Sequence, residues 1–129
     1  MPLPQVGGGY QFTDGNVSEI AMVIQGAPAA VSAAGTLTAA QLTSGLVVCS
    51  GTPGTQTLPT VALTEALLTN AKVDAGFEVS FVNTAGSTLT VAAGTGWTIV
   101  GLATAATTVS ALFRARKTGD GAWTLYRLC

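Results

Sequence analysis

The side chains able to do chemistry are few and poorly assorted. The 129-residue chain has no histidine, so the commonest general base and metal ligand is missing. Neither a Ser-His-Asp nor a Cys-His arrangement can be built without it. Six acids remain: Asp14, Glu19, Glu65, Asp74, Glu78 and Asp120. They are scattered, most of them in or beside expected turns, whereas a paired-carboxylate hydrolase needs two converging on one cleft. Cys49 sits in an apolar run and Cys129 is the last residue, so both are expected as free thiols rather than a disulfide. Gly7-Gly8-Gly9 lacks the Lys-Ser/Thr pair and the preceding strand of a phosphate-binding loop. Asp14-Gly15-Asn16 has no downstream acid at calcium-loop spacing and reads as a turn. Asn16-Val17-Ser18 matches a glycosylation acceptor, but no export leader is expected ahead of it. The expectation is a protein that is not an enzyme and holds no cofactor or metal.

The one charge cluster is Arg114, Arg116 and Lys117, joined by Arg127 on the returning strand. Strand alternation sets Arg114 and Arg116 on one face, opposite Phe113 and Ala115. The four form a candidate basic docking face for an acidic neighbour, or a merely solvated flank of the last hairpin. A net charge of −1 argues against direct nucleic-acid binding. Trp97, Trp123 and Tyr126 would stack on sugar rings if exposed, but their places in alternating strands favour the core.

Charged residues make up only 9% of the chain and hydrophobic ones 48%, against a usual charged fraction of about 25%. A small domain normally dresses its surface with charge. Here Thr, Ser, Ala, Gly and Gln must cover it, or copies of the chain must hide it, so a homo-oligomer is expected. No apolar run reaches the ~18 residues that span a bilayer, and no membrane partner is expected.

The elements that position these groups read as follows. Residues 1–16 are Gly- and Pro-rich, an extended arm with Tyr10 and Phe12 as anchors, and Gly7, Gly8, Gly9, Tyr10 and Phe12 are the candidate contact residues. Val17 to Gln25 reads as a strand or short helix, broken by Gly26-Ala27-Pro28. Residues 1–30 thus form the arm and first strand, and 31–129 the main domain. Thr38 is placed to cap one helical turn. Leu46-Val47-Val48-Cys49 reads as a strand between Gly45 and Gly51. Thr60 caps a helix through Asn70, with Val61, Leu63, Leu67 and Leu68 as its apolar stripe. Alternation then puts Phe77, Val79 and Phe81 on one face, and Leu89 with Val91 inward. Val109, Ala111, Phe113 and Ala115 form a further inward row, and Thr118-Gly119-Asp120-Gly121 a hairpin loop before Trp123-Thr124-Leu125-Tyr126. The fold class expected is all-β, a small antiparallel β-sandwich or barrel, jelly-roll-like, with one short helix.

From Thr36 to Leu128 the text runs "GTLTAAQLTSGLVV", "TQTLPTVALTEALL", "GFEVSFVNTAGSTLTVAAGTGWTIVG" and "SALFRARKTGDGAWTLYRL". This resembles the small trimeric decoration (cement) proteins of tailed-bacteriophage capsids, and also modules of phage fibres. The shared features are a "TLP" strand leading to a helix, a turn at Asn83-Thr84 and a Gly-Thr-Gly-Trp turn at Gly94 to Trp97. The resemblance implies an all-β homotrimer on the outer surface of a virion, bound to the major capsid protein, and carries no catalytic residue. The rival expectation is a fibre or adhesin module that binds a host-surface glycan.

Overall fold

The computed structural model describes residues 24–129. Its elements are β1 (Ala29–Thr36), α1 (Ala39–Thr43), β2 (Leu46–Thr57), α2 (Val61–Leu67), β3 (Gly76–Asn83), β4 (Leu89–Ala92), β5 (Trp97–Val100), β6 (Thr104–Ala105), β7 (Ser110–Gly119) and β8 (Ala122–Arg127). All eight strands join one curled sheet, a half-barrel in the order β5-β8-β7-β3-β2-β4-β6, with β1 on the other edge of β2.

The β-rich expectation holds, but the expected antiparallel pairing does not. Strand β2 runs parallel to β1, β3 and β4, and β5 runs parallel to β8. Only β3–β7, β4–β6 and β7–β8 are antiparallel. The cause is the connections. Parallel neighbours need a crossover, and α1 and α2 supply it between β1 and β2 and between β2 and β3. There are accordingly two helices where one was expected. Thr38 caps α1 in a full capping box: its side chain accepts from the Gln41 amide (3.1 Å) and its own amide donates to Gln41 Oε1 (2.9 Å). Thr60 caps α2, which stops at Leu67 instead of reaching Asn70.

Strands β1, β2 and the consecutive pair β3–β4 form three parallel rungs that turn a corner together. At the lower level Ala29, Val47 and Phe81 lie side by side, and at the upper level Thr36, Thr57 and Ala92 do. Between these levels β2 bends through Gly51 and Gly54, both at positive φ (63° and 53°), which glycine adopts without steric cost. So Gly51 does not end the strand as expected; it bends it. The buried Gln56 amide braces this corner, donating to the Ala33 (2.8 Å) and Pro53 (2.7 Å) carbonyls. Buried Asn83 does the same one rung over. Its Nδ2 faces the carbonyls of Ser87, Ala105 and Ala106, and its Oδ1 accepts from the Ala85 amide.

The core fills the concave side: Leu37, Leu42, Val47, Leu58, Val79, Phe81, Leu89, Phe113, Trp123 and Leu125 are essentially sealed from solvent. The Phe77–Phe81 and Leu89–Val91 alternations are as expected, as is the Ala111–Ala115 row; Val109 is the exception and faces outward. The α2 stripe needs correction. Val61 and Thr64 are buried, Leu68 packs against the core, and Leu63 and Leu67 are more than half exposed. At 100° per residue, positions 61, 64 and 68 share one face while 63 and 67 lie about 110° round the helix from its centre. The apolar set is therefore two stripes, and only one can reach the core.

Gly94 shows how close the upper turn packs. A Cβ there would lie deep inside the van der Waals radius of the Leu58 carbonyl oxygen and 2.9 Å from that of Pro59. Gly94→Ala is expected to destabilise the fold by about 1–3 kcal/mol, a cost set by main-chain atoms that cannot swing away. Gly86→Ala, where a Cβ meets nothing within 4 Å, is expected to leave the denaturation midpoint within error. Chemical denaturation of both variants checks this.

Candidate functional site

Strand β7 carries Arg114, Arg116 and Lys117, and its pairing register decides what each meets. Glu78 lies directly opposite Arg114 across the β3–β7 ladder, and the two form an exposed ion pair. Such a pair contributes at most about 1 kcal/mol in water. Arg116 donates to Asp74 (2.6 Å) and holds the Tyr126 hydroxyl (3.3 Å), and these contacts, Tyr126 foremost, push its already high pKa further up. Asp74 reaches it from a turn in which its own φ is +75°.

Lys117 points to the opposite side of the strand. It is largely enclosed, 3.2 Å from Glu65 of α2 and 3.1 Å from the Ala71 carbonyl. The same Glu65 oxygen accepts from the Trp123 indole at 3.1 Å. The Trp123 hydrogen bond, assisted by Lys117, holds the Glu65 carboxyl below its ordinary pKa against the opposing effect of desolvation. Arg127, opposite Phe113 on β8, stacks over that ring at 5.6 Å. It donates to the carbonyls of Leu102 (2.9 Å) and Thr104 (2.8 Å) and to the Cys129 main-chain oxygen (2.6 Å).

The four cations expected to make one docking face are thus brought to two faces, and each is already engaged within the chain. Arg114 and Arg116 share the outer face, as alternation requires, while Lys117 and Arg127 close opposite ends of the inner one. Of the acids, Glu65 lies in α2 and Glu78 in β3, within the helix and the strand expected there. The pairing of β7 with three acids was invisible in the sequence, because each pair joins residues far apart in the chain. The other candidate group, Gly7, Gly8, Gly9, Tyr10 and Phe12, lies outside the described residues.

The aromatic candidates serve the core. Trp97 and Trp123 are buried, their rings 5.7 Å apart, and the Trp97 indole donates to the Pro59 carbonyl at 2.8 Å. Tyr126 is only partly covered, but its hydroxyl is held by Arg116. No platform for a sugar ring is formed by the two tryptophans. Cys49 is buried and Cys129 exposed, both free, and burial pushes the Cys49 thiol pKa up. Among the described residues no group of three His, Cys, Asp or Glu converges on a metal-sized site.

What the surface does present is apolar. Leu63 and Leu67 flank an open groove of about 530 Å³ completed by Leu37, Ala40 and Ala66. Around Tyr126 on the outer sheet face, Val100 pairs in register with it, and Leu102 and Leu128 are exposed nearby in sequence. Strand β1 is neutral along its whole length and, among the described residues, hydrogen-bonds only to β2.

The Glu65 contacts predict a definite pH response. A carboxylate held below its unfolded pKa adds stability above that value, and the addition disappears as pH falls through the folded pKa. The stability gap between the native chain and Glu65→Gln is therefore expected to be full at neutral pH and to close on acidification below about pH 4. Thermal denaturation of both proteins between neutral and acid pH measures it. A gap that does not vary with pH would mean that the charge contributes nothing. Comparison with protein families, with curated proteins and with solved structures finds no match for this chain.

Proposed function

We propose that the chain is a structural subunit of a bacteriophage virion, a homotrimeric decoration protein that binds the major capsid protein on the outer capsid surface and stabilises the shell. The virion setting rests on the resemblance in the Thr36–Leu128 segment. The observation that carries a structural role is the exposure of large apolar side chains at two places on one small domain. One is the α2 flank with Leu63 and Leu67; the other is the C-terminal end of the β5–β8 pair, with Val100 and the following Leu102 and Leu128. A decoration subunit has two partners, its sister copies and the shell, and needs one such surface for each. Apolar patches of this kind on a small protein commonly mark association sites. In this setting the half-barrel is completed to a sandwich-like module by what covers its open edge. The adhesin alternative is weakened by the burial of Trp97 and Trp123.

The test uses two double variants, Leu63→Asp with Leu67→Asp and Val100→Asp with Leu128→Asp. The native protein is expected to scatter light as three chains and to co-sediment with capsids stripped of their own decoration. Each double variant is expected to lose one of these properties and keep the other, because an introduced carboxylate resists desolvation in an apolar contact. A native protein that is monomeric and ignores capsids, or variants that keep both properties, overturns the reading.

A further inference from the structure

Helix α2 is apolar on both of its sides. Val61 and Thr64 are its buried residues, and its exposed ones are Ala62, Leu63, Ala66 and Leu67. The one charged residue of the helix, Glu65, is turned to Lys117 and to the Trp123 indole, at 3.2 and 3.1 Å. No charge is left for the side that meets solvent. A surface helix ordinarily carries its charged and polar residues on that side, and a helix apolar all round is ordinarily buried all round. The neighbouring α1 adds no charge either. Its sequence is Ala39-Ala40-Gln41-Leu42-Thr43, and the Gln41 side chain is taken up by the capping box with Thr38.

The exposed side of α2 has relief. At 100° per residue its members follow round the helix in the order Ala62, Ala66, Leu63, Leu67, over an arc of about 140°. Leu63 and Leu67, four positions apart and 59% and 51% exposed, make a raised row. Ala62 and Ala66 make a low row beside it. The raised row borders the groove of about 530 Å³ between α2 and α1, whose lining includes Ala39, Ala40, Ala66 and the sealed Leu37.

We propose that this flank is where copies of the chain meet, the Leu63–Leu67 row of one copy seating in the α1–α2 groove of the next. The proposal rests on the virion reading and narrows it: the α2 flank goes to the sister copies and the β5–β8 end to the shell. Rows at four-residue spacing on one helix pack into the grooves of another, so ridge and groove are two halves of one fit. An unrelated partner would need only one half, whereas this chain carries both, side by side. Identical chains repel wherever like charges are brought together, and the two helices and the groove between them turn no charge outward. Taken head to tail, each copy gives its ridge to one neighbour and takes the ridge of another. A contact of that kind closes into a ring when its rotation allows, and a homotrimer is such a ring.

Two variants separate the halves. Leu63→Ala with Leu67→Ala levels the ridge, and Ala40→Trp with Ala66→Trp fills the groove; all four positions are exposed, so each change has room in the folded chain. Each variant alone is expected to keep the native circular dichroism while its mass by light scattering falls threefold, from three chains to one. Mixed in equal amounts, the two are expected to pair one to one, because one keeps the ridge and the other the groove. Val100→Asp with Leu128→Asp, which leaves this flank intact, is expected to stay at three chains. A mixture that remains monomeric, or a Val100→Asp, Leu128→Asp protein that falls to one chain, overturns the proposal. Ridge and groove variants that stay trimeric but no longer co-sediment with stripped capsids assign this flank to the shell, so that this proposal falls and the virion reading stands. A native chain that is monomeric and ignores capsids overturns that reading itself.

Discussion

Turning three parallel strands through one corner at the same level leaves main-chain groups facing a bend where no regular ladder can pair them. Buried donors and acceptors of this kind must find partners or cost about as much as lost hydrogen bonds. Much of the half-barrel follows from how that requirement is met. Two buried amide side chains reach the stranded carbonyls, Gln56 those of Ala33 and Pro53 and Asn83 that of Ser87, and the Thr84 amide and hydroxyl both donate to the Cys49 carbonyl at 2.8 Å. Once the corner is satisfied, β2 can pair along both edges, with β1 on one side and β3 then β4 on the other. The concave face this creates is where the large side chains collect. The edge-on Phe81–Phe113 pair, centroids 5.7 Å apart, and the two tryptophans then add about 0.5–1.5 kcal/mol per pair beyond simple burial.

The charge pattern obeys the same economy. The turn between α2 and β3 has no ladder of its own, yet it must bring β3 back to the level of β2. Cations of β7 hold it from both sides: Arg116 on Asp74 outside, and Lys117 on Glu65 and the Ala71 carbonyl inside. On the inner side Glu65 also accepts the indole proton of Trp123, so an otherwise unpaired donor in the core is answered by a side chain of α2. Arg127 works likewise at the far end, tying the carbonyls of Leu102 and Thr104 to β8. The cations of the candidate basic face thus also brace the fold.

The legible part of this structure was its faces. Alternation at Val79 and Phe81, at Leu89 and Val91, and at Ala111, Phe113 and Ala115 needs only the period of a strand, and all of these point inward. The caps at Thr38 and Thr60 were legible for the same local reason. Strand direction was not, because alternation reads the same whichever way the neighbour runs; only the helical crossovers decide it. Strand β1 was missed because Ala-Ala-Val-Ser-Ala-Ala-Gly-Thr has little of the β-branched and aromatic signal that marks strands. Leu63 and Leu67 were placed with Val61 by composition rather than by angle. The candidate basic face failed as a single face because its members answer acids and carbonyls brought near only by the fold.

These internal pairings bear on how the chain meets other molecules. Of its five cations, four are already matched to acids, carbonyls or a ring of the same chain. Three of the acids are spent in those pairs, so the little charge the composition provides is mostly neutralised before any partner arrives. Long-range electrostatic steering therefore has little to act on. On the proposed reading, association draws instead on apolar side chains at α2 and near the β5–β8 edge. Forces of that kind are short-ranged and are not screened by salt as ion pairs are. They reward a close geometric match over simple proximity. In the proposed shell, identical partners repeated in fixed positions would supply such a match.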